Sequence, residues 1–235
     1  MASEGKKILA MDYSQIELRL MAHYSKDQIM LDSFKNNEDI HKRTASEVFS
    51  VEMENVTDEM RRRAKTINFG LLYGMSAFGL SNQLSVSRAE AEEFLLNYFA
   101  KYSSIKVFMK DVVEQAKKDK YVSTLYGRKI HVPNIESPNY MLRQASERAA
   151  VNGPLQGSAA DIIKRAMINI FKESGGNEKD IKMILQVHDE LVFEVPEDYD
   201  EKNISYLIDL MEESSSIDVP LKVEYGFGSN WREAH

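Results

Sequence analysis

His188, Asp189 and Glu190 stand side by side inside an otherwise apolar stretch, residues 183–195, reading MILQVHDELVFEV. Carboxylate oxygens are hard donors that suit Mg²⁺, so the chemistry open to this stretch is that of a metal-ion site. The flanks are rich in Val, Ile, Leu and Phe and read as two buried strands joined by a tight turn. A two-residue hairpin turn usually takes Asn-Gly or Asp-Gly, because both central residues need positive φ. Asp-Glu is a poor substitute, and two adjacent carboxylates at a hairpin tip repel each other. A local rule broken in this way is where a site is to be expected. The alternative is a solvated turn whose acids are incidental.

Asp12 offers another carboxylate. Residues 6–11 (KKILAM) read as an apolar strand that runs straight into it. An α/β fold commonly presents an acid at a sheet edge in this way; a helix N-cap or turn role for Asp12 stays open. Arg61, Lys65, Phe69 and Tyr73 are spaced by four and drift slowly along one helix face. Two cations followed by two aromatics suit phosphates at one end and a planar ring at the other. A solvated basic face over two core aromatics is the alternative. Arg148, Asn152 and Gln156 repeat the spacing of four and could read base edges or sugars in a groove, or simply face solvent. His41 stands near the start of a short helix over residues 39–49, where a lone histidine is ordinarily a hydrogen-bonded surface or core residue.

The elements that must position these groups follow from caps and breakers. Residues 16–21 read as helical or mixed. Thr57 is a good N-cap for the Arg61 helix, with Asp58 and Glu59 complementing its dipole. Gly70, Gly74 and Gly79 are expected to interrupt that helix and let it bend. Ser87 to Glu90 form a capping box that starts a helix to about Tyr102, and a further helix covers 104–118. Residues 121–132 read as a hairpin with Gly127 in its turn, and 133–139 as loop. A helix from Tyr140 is expected to break or kink at Gly153-Pro154, resume to Phe171 and close at Gly175-Gly176. The remainder reads as a helix over 201–213, a strand over 221–225 and a segment holding Trp231, the only tryptophan.

Composition bounds these readings. The 235 residues are 43% hydrophobic, enough for a substantial core. No run of 18 apolar residues exists to span a membrane, and MASEGKK lacks the apolar segment of a signal peptide. With no cysteine there is neither a disulfide nor a thiolate metal site, which fits a reducing compartment. The net charge of −7 argues globally against a nucleic-acid binder. Positive charge is nevertheless clustered at 61–63, 128–129 and 164–165, and the local patch decides phosphate binding.

Three segments change the weight of these separate readings. DYSQIELR at 12–19, RRRAKTINFGLLYG at 61–74 and QVHDELVFEV at 186–195 closely resemble the A, B and C motifs of family A DNA polymerases. The resemblance continues through DIHKRTASEVF, YGMSAFGL, ERAAVNGPLQGSAADIIKRAM and NWREAH, in the family's order and at about its spacing. It implies an α/β (α+β) fold: a polymerase palm with an antiparallel sheet, plus mostly helical fingers. Residues 1–24 would be palm, 25–139 fingers with an adjoining hairpin, and 140–235 palm. The family's thumb, upstream palm and exonuclease-type domain have no counterpart, so the expectation is a C-terminal palm and fingers portion, cytoplasmic and associated with a bacterial nucleoid.

The resemblance implies DNA-directed nucleotidyl transfer from a dNTP to the 3′-hydroxyl of a primer–template, with two Mg²⁺ ions (or Mn²⁺) about 3.5–4 Å apart. Asp12 and Asp189 would bind metal, joined by the Tyr13 carbonyl, with Glu190 a lesser acid nearby. Gln15, His41, Arg61 and Lys65 would hold the triphosphate, and Lys65 would aid the leaving group. Phe69 would pack on the sugar and base, a Phe there being associated with discrimination against dideoxynucleotides. Glu17 would block a ribose 2′-hydroxyl, with Tyr73 beside it and near the templating base. Arg148, Asn152, Gln156 and His188 would touch the minor groove and primer end. Two other functions stay open: a DNA- or dNTP-binding fragment without efficient catalysis, and a two-metal nuclease, against which the cation–aromatic stripe argues. Missing palm strands would expose a sheet edge, so self-association is expected.

Overall fold

The computed structural model describes residues 1–173 and 181–235; the expected helix stop at Gly175-Gly176 lies outside them. In chain order the elements are β1 (Lys6–Tyr13), α1 (Ile16–Ser25), α2 (Gln28–Lys35), α3 (Ile40–Phe49), α4 (Asp58–Leu72), α5 (Ala77–Leu84), α6 (Arg88–Lys101) and α7 (Ser103–Asp119). They continue with β2 (Tyr121–Ser123), β3 (Lys129–His131), α8 (Tyr140–Glu173), β4 (Lys182–Val187), β5 (Glu190–Pro196), α9 (Glu201–Glu212), β6 (Val223–Gly228) and α10 (Trp231–Ala234). The chain divides into two compact units, Met1–Ile16 with Ala159–His235, and Glu17–Ser158. Helices α1 and α8 both run across that division in sequence. Among the described residues no helix is long and apolar enough to cross a membrane.

The first unit is built on an antiparallel sheet in the order β4-β5-β1-β6. An interior strand covered on both faces must be apolar on both. Leu9, Met11 and Tyr13 are buried on one face of β1, and Ile8 and Ala10 on the other. The latter face packs Ile8, Ala10 and Val192 against Ala234 of α10. Gly226 and Gly228 permit that approach: a Cβ on Gly226 would lie 2.4 Å from the Ala234 carbonyl oxygen. The strand expected over 221–225 therefore starts two residues later and runs on through both glycines. Lys222 lies outside it, its carbonyl accepting from the Ser14 N–H at 2.8 Å. On α9 the buried Ile204, Leu207 and Met211 form an apolar stripe.

The second unit is helical apart from the β2–β3 hairpin. Helices α2 to α6 begin at side-chain caps: Asp27, Asp39, Thr57, Ser76 and the Ser87–Glu90 capping box. The interruptions expected at Gly70 and Gly79 do not occur. Gly70 is an interior residue of α4 and Gly79 of α5, both facing Met75, so only Gly74, at φ +66, ends the helix. Helix α8 continues through Gly153-Pro154. The hairpin braces it there: a Cβ on Gly153 would lie 2.8 Å from Val122 Cγ2 and one on Gly157 2.6 Å from Thr124 Cγ2. The Arg128 guanidinium donates to the Gly157 carbonyl at 2.9 Å, and the Leu125 N–H donates to Ser158 Oγ at 2.8 Å.

Candidate active site

Asp12 lies within β1, opposite Glu190 of β5 on one side and Glu224 of β6 on the other. Directly paired residues of an antiparallel sheet share a face, so the three carboxylates form one row. The hairpin turn consists of His188 and Asp189, not Asp-Glu, because Val187 pairs with Glu190 and β5 starts there. His188 takes the left-handed conformation, φ +52, unusual for a residue with a Cβ. Its carbonyl accepts from Gln186 Nε2 at 2.7 Å. The Asp189 carbonyl accepts from the Tyr13 N–H at 3.2 Å, tying the turn to the end of β1.

These acids differ in their surroundings. Glu190 is 4% exposed. Its Oε1 accepts from the Trp231 indole N–H, and its Oε2 lies 2.6 Å from His235 Nδ1. Burial, followed by the charges of Asp189, Glu190 and Glu224, pushes the Asp12 carboxyl up to about 7. Asp12, Glu190, Glu224, Tyr225, Glu233 and His235 are among the residues lining an open cleft of about 380 Å³. Tyr13 turns its phenol into the core, where the hydroxyl donates to the Met211 carbonyl at 2.7 Å, so only its backbone is available to a ligand.

Among the described residues no three His, Asp or Glu side chains converge on one cation position. Mg²⁺ rarely takes an all-protein cage; it keeps waters and binds through one or two carboxylates together with substrate phosphates. The Asp12–Asp189 pair fits that donor set: after burial, the charge of Asp189 is what pushes the Asp12 carboxyl up, and a cation would relieve it.

The helical unit gathers the other group of predicted residues. Arg61, Lys65 and Tyr73 are exposed and Phe69 half-buried. Arg61 Nε donates to Asp39 Oδ2 at 2.6 Å. The Phe69 and Tyr73 rings stack at 6.4 Å, and the His41 ring lies 5.8 Å from Phe69. Tyr73 donates its hydroxyl to Glu17 at 2.8 Å. Gln15 belongs to the sheet unit, where its φ of +57 turns the chain from β1 into α1. On α8, Arg148 and Gln156 are exposed, and Asn152 is half-buried with its Oδ1 lacking a partner among the described residues. Arg148 lies against Gly74, whose Cβ would meet its Cγ at 2.7 Å.

Sequence reasoning overlooked several neighbours. Glu224 was hidden because register across the sheet brings it to Asp12. Trp231 and His235 lie in the NWREAH segment of the resemblance but were given no role. Asn68 sat in the segment already singled out, but it is buried among Thr44, His41 and Tyr102 and has no periodic signal.

The first unit thus carries a row of acids on its sheet, and the second a cation–aromatic stripe on a helix. A profile of DNA polymerase family A matches residues 1–233, and the chain belongs to that family. Its relatives include DNA polymerase I of Pseudomonas aeruginosa, 51% identical over all of this chain and 26% of the relative. Another is DNA polymerase I of Bacillus subtilis, 44% identical over 97% of this chain and 26% of the relative. The chain thus spans about a quarter of the length of these curated relatives. A solved structure, the POL domain of Pol1 from M. smegmatis in complex with DNA primer-template and dNTP, superposes with a TM-score of 0.94. It is 44% identical, over 99% of this chain and 41% of that one.

Proposed function

We propose that this chain carries the palm and fingers functions of a DNA-directed DNA polymerase, in which a primer 3′-hydroxyl attacks the α-phosphate of a dNTP and pyrophosphate leaves. The observation that carries this reading is the register of β1 with β5 and β6, which gathers Asp12 with Glu190 and Glu224 and ties Asp189 to the same strand end. Asp12 and Asp189, with the Tyr13 carbonyl, would hold divalent cations. When bound, two Mg²⁺ or Mn²⁺ ions would lower the pKa of the attacking hydroxyl and stabilise charge on the phosphate. Glu190, held by Trp231 and His235, acts as a structural acid next to that pair.

The remaining roles follow from charge and shape. Arg61 and Lys65 bind the triphosphate and neutralise it, with His41 and Gln15 adding hydrogen bonds. Phe69 packs on the incoming sugar and base. Glu17, fixed by Tyr73, excludes a ribose 2′-hydroxyl, and Tyr73 stacks near the templating base. Arg148, Asn152, Gln156 and His188 contact primer–template. The minor groove presents acceptors shared by all base pairs, which suits a check of geometry without reading sequence. We place residues 1–24 and 140–235 in the palm and 25–139 in the fingers.

Primer extension with Mg²⁺ and four dNTPs tests the proposal. The chain is expected to extend a primer, and Asp189→Ala to reduce extension to background. A folded chain that binds dNTP but extends nothing at any concentration would favour the second reading, a binding portion without efficient catalysis. The short span relative to its relatives is what keeps that reading in view.

A further inference from the structure

Beneath the stripe of α4 lies a buried polar network of which the proposed chemistry uses only His41. Asn68 is 1% exposed, and Thr44 and His41 are buried beside it. Asn68 Nδ2 lies 3.1 Å from His41 Nδ1. In the orientation the amide takes here its nitrogen faces the ring and can only donate, so Nδ1 accepts and the ring proton is placed on Nε2. Thr44 Oγ1 holds the amide from its other side, 3.0 Å from Nδ2 and 3.1 Å from Oδ1, and itself touches the Tyr102 hydroxyl at 3.3 Å. The ring is held against Phe69 as well.

We propose that Asn68 is a positioning residue that fixes His41 as the neutral Nε2–H tautomer, so that His41 meets a polyphosphate as a directed hydrogen-bond donor and not as a cation. This rests on the nucleotide-binding role given to His41 above. The charged groups facing the ring are Asp39 at the cap of α3, and Arg61 and Lys65 on α4. Burial is the largest influence and pushes the imidazolium down to about 4; Asp39 opposes it, and Arg61 and Lys65 add to it. The labour is thereby divided. Arg61 and Lys65 supply charge, and His41 supplies one N–H of fixed direction that leaves phosphate recognition insensitive to pH across the neutral range.

Nitrogen-15 NMR of the histidine rings in the whole chain reads the tautomer with no catalysis involved. The expected result is His41 as Nε2–H between pH 6 and 8, with the Nε2 signal moving on addition of inorganic tripolyphosphate. Asn68→Asp supplies only an acceptor, so it should move the proton to Nδ1 and bring the His41 titration into that same window. In primer extension Asn68→Asp should raise the KM for dNTP about tenfold, the scale of one hydrogen bond to a charged group, with a far smaller change in kcat. An Nδ1–H or cationic ring in the wild-type chain would overturn the proposal, whether or not the variant folds. So would an unchanged ring signature in Asn68→Asp, or no response of His41 to tripolyphosphate. Failure of the polymerase reading looks different: the tautomer and tripolyphosphate response persist, and no primer is extended.

Discussion

At the scale of single residues, Asp12 is the group most at odds with its setting. Its folded pKa, about 7, lies above the ordinary carboxyl value, so folding favours the protonated form. That contribution is fully present below about pH 4 and is lost as pH rises through about 7. Without divalent cations, Asp12→Asn should therefore stabilise the protein at pH 8 and do little at pH 4. For a half-exposed group, allowing for solvent screening, the gain is about 1 kcal/mol, or about 2–4 °C in Tm. Thermal melts at both pH values check this, and added Mg²⁺ should narrow the gap at pH 8. Glu190 makes the opposite case, because its oxygens are already engaged. Trp231→Phe keeps the ring and removes the N–H, leaving a buried acceptor; urea denaturation should show a loss of about 1–3 kcal/mol. Asp12 and Asp189 were legible in the sequence because each interrupts or ends an apolar run. Glu224 and Asn68 were not, since one depends on strand register and the other on what surrounds it in space.

At the scale of elements, glycine carries information that local rules misjudge. Gly70 and Gly79 read as interruptions and the Gly153-Pro154 pair as a break or kink, yet α4, α5 and α8 run on through them, and Gly74 follows the end of α4. The difference is tertiary packing: Met75 and the β2–β3 hairpin occupy the space that side chains would need. The caps at Thr57 and Ser87 were read correctly because a cap is settled within four residues: each side chain accepts from a backbone N–H of the helix that follows. The end of β6 was misplaced for the same reason as the helix breaks, because its two glycines serve the approach of α10. Gly226→Ala should push α10 off the sheet and cost about 1–3 kcal/mol by overpacking. Because α10 carries Trp231, which bonds Glu190, its indole fluorescence should change in the same variant under native conditions.

At the scale of the molecule, both the mixed fold and the family were legible, because three motifs occur in order at about the right spacing. The division into compact units at Ile16 and Ser158 was not, because each cut falls next to or within a continuous helix. Edge strand β4 leaves Ile184 and Leu185 each 44% exposed. We propose that this edge drives self-association, and light scattering should find species larger than a monomer; a clean monomer would refute it. The position of β1 has a consequence during synthesis. The partner that faces Asp12 on β5 is translated about 180 residues after this strand. At ribosomal rates the strand waits roughly ten to forty seconds for that partner. A chaperone that shields β1 during that interval should therefore raise the yield of folded protein more than one offered after release.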